Sequence, residues 1–254
     1  MLKIFLVGPL VGIAIMLLAN ACTTVYLHRL AAHKALTAKK PVVFVFRFLI
    51  WIMTGIRPRQ WVAVHRKHHA FTDVDGDPHS PVLEGLWRVQ FCNVAMYRRV
   101  ANDPDTVARY AKDMPPTKLD RWFFDRAFLG LGIGVVLLMV VLGPWAGLMA
   151  AFVHANLYLA TSSAVNAMAH QWGRKPYDNE AGNLQWLAWL TAGEGLHNNH
   201  HAVPSSARLS HRRWEFDPGW WVITGLRWTG LAKVRLSEAV VRAKANARPA
   251  RTAA

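Results

Sequence analysis

An unbroken apolar run long enough to cross a bilayer leaves a chain few ways to fold, and this one begins with such a run. Ile4 to Leu27 holds no charged side chain. A hydrocarbon core of roughly 30 Å takes about 20 helical residues, so the run is read as a retained membrane helix. Lys3, the apolar stretch and Ala19-Asn20-Ala21 before Cys22 imitate a leader peptide, but cleavage there would detach the anchor from His28. Trp122 to Leu142 and Trp145 to Asn166 are read as two further spans. Gly143-Pro144 between them suits a tight turn between antiparallel helices. A fourth run, Pro41 to Ile56, is short and carries Arg47 in its middle, so it is read as interfacial or re-entrant.

The expected architecture is a single all-α integral-membrane domain over residues 1–254. It has three to four membrane helices (4–27, 122–142, 145–166, with 41–56 interfacial or re-entrant) and a cytoplasmic histidine-rich helical cap. Apolar residues make up 53% of the chain, and Lys plus Arg number 30 against 15 acidic residues. That excess would suit nucleic acid or an anionic leaflet. The basic residues flank the apolar runs, which favours lipid and argues against nucleic acid. With the spans as read, Lys3 alone lies outside and the other 29 basic residues face the cytoplasm, as the positive-inside rule requires. The two cysteines form no C-x-x-C, so neither a disulfide framework nor a thiolate metal site is expected. The basic segment 233–254 reads as a surface helix fraying at its end.

Nine of the twelve histidines fall into four patterned places: His28-Arg-Leu-Ala-Ala-His33, His65-Arg-Lys-His68-His69, Asn166-Ala-Met-Ala-His170 and His197-Asn-Asn-His200-His201. Positions i, i+3 and i+4 share one face of a helix, so each H-x-x-H-H is expected to aim three imidazoles at a common volume. His28 and His33 lie about 140° apart on a 3.6-residue helix. They must bracket a helix end or serve different metals. Imidazole suits iron, zinc, copper and nickel, and nine ligands exceed what one ion takes, which implies two metals. The H-E-x-x-H helix of a protease is missing. The single Glu-x-x-His, Glu194 to His197, argues against a soluble carboxylate di-iron bundle.

These motifs resemble the membrane fatty acid desaturases, and within them the delta-9 acyl (stearoyl-CoA desaturase-like) branch. His28 to His33 is similar to the branch's H-R-x-x-x-H, and His65 to His69 to its H-R-x-H-H, with Asp77-Pro-His79 following. Asn166 to His170 is similar to N-x-x-x-H, and Gly193 to His201 to G-E-G-x-H-N-x-H-H. The resemblance implies that His28, His33, His65, His68, His69, His170, His197, His200 and His201 ligate two Fe2+, that Asn166 holds a metal-bound water, and that Trp61 lines the acyl tunnel. His79 is read as structural, and His154 and His211 lack motif partners.

The implied reaction uses molecular oxygen to place a cis double bond, delta-9, in a saturated acyl chain. The carrier, whether CoA, carrier protein or phospholipid, stays open. A fused donor domain does not fit in this length, so the resemblance implies a separate electron donor, such as a ferredoxin or a cytochrome-b5-type protein with its reductase. The implied location is a bacterial inner membrane, among membrane lipids, with the metal site on the cytoplasmic side. A lipid hydroxylase, ketolase or decarboxylase with the same metal chemistry is the alternative. A non-enzymatic histidine metal-binding membrane protein would need polar residues within the spans, which hold few.

Overall fold

The structure, a computed structural model, describes Met1 and residues 3–247. Two helices are long and apolar enough to cross a membrane, Ile4–Ala32 and Pro144–His170. The first comprises α1 (Gly8–Cys22) and a π-helical continuation, Thr23–Ala32. The second is α8 (Pro144–Ala167), closed by a 3-10 turn at Met168–His170. The two run parallel because small residues line their seam. A Cβ at Gly8 would lie 2.9 Å from the carbonyl oxygen of Ala146, and one at Gly12 would lie 2.6 Å from that of Ala150. This small-xxx-small pair lets the backbones touch where the lipid itself supplies no hydrophobic drive. Deeper along the seam polar groups take over. Asn20 Nδ2 donates to Thr161 Oγ1 at 3.1 Å and to the Leu190 carbonyl at 3.0 Å, and the Thr23 and Tyr158 hydroxyls lie 2.8 Å apart. Parallel packing brings the C-terminal ends of both helices, with His28 and His170, to the same end of the molecule.

Packed against α8 is α7 (Ala127–Leu142), which is shorter than the run 122–142 expected from sequence. Asp120–Phe124 forms a separate π-helical turn, and the chain breaks at Asp125 and Arg126. Two adjacent charges are costly in a continuous apolar helix. The freed Arg126 carbonyl accepts from the Trp51 indole at 3.0 Å. Gly130 and Gly134 of α7 are built tightly onto the end of α2 (Lys40–Thr54): a Cβ there would lie 2.5 and 2.3 Å from the carbonyls of Trp51 and Ile52.

At the end of α2, Gly55 takes a left-handed conformation (φ +63°), and Pro58 opens α3 (Pro58–Ala70), the two helices meeting at 88°. A left-handed glycine followed by proline at the first helical turn is a stop and a restart. Arg47, the costly charge of the sequence reading, is half-buried but satisfied, pairing with Asp120 and lying 4.3 Å from the centre of the Phe124 ring. The His154 ring, buried in α8, sits with Nε2 2.8 Å from the Met53 carbonyl. It satisfies the open end of α2, which accounts for a histidine without motif partners.

The remaining elements form the cap. They are α4 (Pro81–Glu84), α5 (Leu86–Ala101), α6 (Pro104–Tyr110), α9 (Gln185–Leu190), α10 (His197–Ala202), α11 (Pro218–Trp228) and α12 (Glu238–Asn246). Two short strands correct the all-helical expectation: β1 (Leu36–Ala38) pairs antiparallel with β2 (Ala232–Val234), Leu36 opposite Val234. The segment 233–254, read as one helix, therefore begins in a strand, because Ala232 is buried against Leu36, Val25 and Ile223. Its helical part is α12, and residues 248–254 lie outside the described ones.

Candidate metal centre

All nine patterned histidines meet. His28, His33, His65, His69 and His200 form one group, and His68, His170, His197 and His201 a second, with the ligand atoms of each group within 4.8 Å of one another. The two H-x-x-H-H motifs do not aim three rings at one point, as the helical face alone predicted. On α3 the i, i+4 pair His65 and His69 joins the five-histidine group while His68 faces the other. On α10 the pair His197 and His201 joins the four-histidine group while His200 crosses to the first. Rings at i+3 and i+4 diverge by about 100°, which is enough for one short helix to feed two neighbouring centres. Each motif therefore serves both.

The π-helix settles the other puzzle. His33 N donates to the His28 carbonyl at 3.1 Å, an i to i+5 bond. Such wide turns bring residues five apart onto one face and occur often at functional sites. His28 and His33 have ring centroids 4.8 Å apart and belong to one group rather than to different ones.

The donor set fits metal. Within the five-histidine group Nε2 atoms approach at 3.0 Å (His28, His200), 2.7 Å (His33, His65) and 2.9 Å (His69, His200). In the other group they approach at 3.0 Å (His170, His197) and 3.2 Å (His197, His201). Two nitrogens bound at right angles at about 2.1 Å from one ion lie about 3 Å apart. Burial, aided by the neighbouring imidazoles, holds His33, His197, His200 and His201 well below the usual imidazole range. Neutral rings are the form that donates to a cation. His68 Nε2 is buried with no hydrogen-bond partner.

Three carboxylates hold the rings from behind. Glu194 accepts from His28 Nδ1 at 2.7 Å, Asp73 from His170 Nδ1 at 2.7 Å, and Asp77 from His68 Nδ1 at 3.0 Å. Each bond fixes the tautomer that leaves Nε2 free to face inward. Burial alone would raise these carboxyls, but the hydrogen bonds and charges of the histidines outweigh it. Asp77 is brought down to about 2, and Asp73 and Glu194 also fall below their ordinary values. Sequence reasoning missed all three as partners. Glu194 stands in both the Glu-x-x-His and the Gly193–His201 motif, neither of which marks it as holding a ring 166 residues away.

Trp61 lies flat on His65, centroids 4.9 Å apart, and edge-on to His28, so it stands beside the cluster. Asn166 is half-buried one helical turn before His170. His79 is buried 4.9 Å from the His68 ring, and burial pushes it down to about 3. His211 lies outside the cluster, its Nδ1 3.0 Å from the Tyr177 hydroxyl.

A family model for fatty acid desaturases matches residues 4–239. This chain belongs to that family. It is 36% identical over 210 residues to an sn-2 palmitoyl-lipid 9-desaturase of Nostoc sp. (strain 36), covering 81% of this chain and 73% of the relative. It is 32% identical to an acyl-CoA C20 Delta5-desaturase of Anemone leveillei, covering 83% and 67%. A hex-5-enoyl-[acyl-carrier protein] acetylenase of Moorena producens (strain JHB) is 30% identical, covering 82% and 70%. The desaturase reached from the histidine spacing is thus an oxidoreductase of this family, with helices long enough to span a membrane beside its clustered histidines.

Proposed function

We propose that this desaturase is a di-iron enzyme that uses molecular oxygen to introduce a cis delta-9 double bond into a saturated acyl chain. The observation that carries the reading is the sorting of nine imidazoles into adjacent groups of five and four at the ends of two apolar helices. When bound, two irons would supply the oxidising power that removes hydrogens from unactivated carbons, which no side chain here provides. The nine histidines would hold the irons, and Asn166 would hold a metal-bound water. Glu194, Asp73 and Asp77 keep three rings in the ligating tautomer. Trp61 would flank the acyl chain where it passes His65.

Two hydrogens leave the acyl chain, and oxygen, with two electrons and two protons supplied from outside, leaves as water. That stoichiometry calls for an electron donor, and a ferredoxin or a cytochrome-b5-type protein with its reductase would supply it. The excess of basic residues beyond Lys3 supports a cytoplasmic face for the cap. His33 and His65 meet although 41–56 lies between them, which supports a re-entrant path for that segment.

The test is to express the intact chain, with a ferredoxin and its reductase, in a host lacking its own desaturase and to map new double bonds by mass spectrometry. The expected product is a delta-9 monounsaturated chain. A double bond elsewhere overturns the position alone, and hydroxylated or shortened products overturn desaturation.

A further inference from the structure

The first histidine motif carries an arginine next to its metal-facing ring, and that arginine does not point at solvent. Arg29 is 1% exposed. Its guanidinium forms a fork on Asp217, Nη1 donating to Oδ2 at 3.1 Å and Nη2 to Oδ1 at 2.7 Å, while Nη1 also donates to the Ala207 carbonyl and Nη2 to that of Ala192. The remaining donor, Nε, reaches Thr24 Oγ1 at 3.0 Å. That hydroxyl donates to Glu194 Oε1, the oxygen that accepts from His28 Nδ1. Asp217, 2% exposed, also accepts the amides of Leu209 and Trp220 and so anchors the start of α11.

Two glycines make room for this pair. A Cβ at Gly193, which has φ +110°, would lie 2.4 Å from Asp217 Oδ1 and 2.7 Å from Arg29 Nη2. One at Gly219 would lie 2.8 Å from Arg29 Nη2 and 2.9 Å from Thr24 Cγ2. The glycine before Glu194 is thus a steric condition for the charge pair as well as for the turn.

We infer that Arg29 and Asp217 are positioning residues for the five-histidine group, acting through Thr24 and Glu194 on the tautomer and orientation of His28. Among the described residues a carboxylate reaches His28 alone of the five rings, which makes this relay a lever on ligand strength at that group. The four-histidine group has two such carboxylates of its own, Asp73 and Asp77, and is independent of the relay. The inference rests on the metal-binding reading of the nine histidines.

Its test is a titration of the purified, metal-free full chain in detergent with Co2+, reading stoichiometry, affinity and the visible absorption of each bound ion. The wild-type chain is expected to take two equivalents. Glu194→Gln keeps the shape of the side chain and removes its charge, so one equivalent should bind as before while the other weakens about 10- to 100-fold with an altered spectrum. Arg29→Lys, which keeps a charge but loses the fork, should shift the same equivalent in the same direction by less. Unchanged affinity and spectrum for both ions in Glu194→Gln would overturn the relay, and so would equal weakening of both, which marks a general loss of structure. If the wild-type chain itself binds fewer than two ions, the nine-histidine reading fails and the relay fails with it.

Discussion

The five-histidine and four-histidine groups draw on the same two helices, α3 and α10, yet their rings are held differently. In the first, His33, His65 and His69 are half-buried, Trp61 covers His65, and one carboxylate reaches one ring. In the second, His68, His170 and His197 are buried, and two aspartates from the single loop 73–77 hold two rings. Asp77 is itself tied to the amides of Asp73 and His79. Three of the five rings are half-buried in the first group and one of four, His201, in the second; the first is held at a single point and the second at two. Two metals serving one reaction, as proposed, would not need to be held equally rigidly, and the more open group is where an acyl chain passing Trp61 would arrive.

The strongest way to break this comparison is to remove the crossed ligand of each motif. His200→Ala should empty the five-histidine group and His68→Ala the four-histidine group, each abolishing desaturation while the protein still inserts. Metal analysis of the purified variants beside product analysis checks this, and if each variant empties the other group, the sorting of the rings is reversed. Asn166→Ala should cut turnover more than metal content. Equal losses of both would make it a ligand rather than the holder of a water.

Asp77→Asn should weaken metal at the four-histidine group by about 10- to 100-fold and leave the five-histidine group unaffected, as Co2+ titration would report. Acidification should act on the metal-free protein. His33, His197, His200 and His201 stay neutral in the fold well below their unfolded value of about 6.5, so the stability they contribute is complete above that pH and is lost as pH falls beneath it. Thermal unfolding of the metal-free chain between pH 7.5 and 5 should show the decline, and bound metal should flatten it. The smallest effect belongs to Asp113→Ala. Asp113 pairs with Lys34 and Arg66 at 2.6 Å, but solvent screens both pairs, and the change should stay within about 1 kcal/mol. Arg66 keeps its bonds to the carbonyls of Ala31, Ala32 and Tyr110.

The nine ring positions and the two long helices were legible in the sequence because both signals are local. A ligand motif shows itself within five residues, and a span shows itself as an apolar run. What stayed hidden depended on partners far along the chain or on a departure from 3.6-residue periodicity. Asp73 meets His170 across 97 residues, and nothing near either residue marks the pairing. The π-helical stretch at Thr23–Ala32 is composed of ordinary helix-compatible residues, so the spacing of His28 and His33 left open whether they bracket a helix end, as His33 does just past Ala32, or serve different metals. The divided aim of each H-x-x-H-H was hidden in the same way, since a motif shows which rings share a face but not how many targets that face meets.

His28 and His200, whose ring nitrogens lie 3.0 Å apart, are separated by 172 residues, and Arg29 and Asp217 by 188. A ribosome delivers the first of each pair long before the second. During that interval the nascent chain holds a helix already able to insert, with an arginine beside it that has no counter-charge. Neither group has its full set of rings until α10 emerges, and Arg29 gains its carboxylate only when the segment carrying Asp217 folds back over it. Metal loading of this kind would therefore report late in synthesis: a chain released before α10 would carry His28, His33, His65, His68, His69 and His170 but lack the three rings that complete both groups.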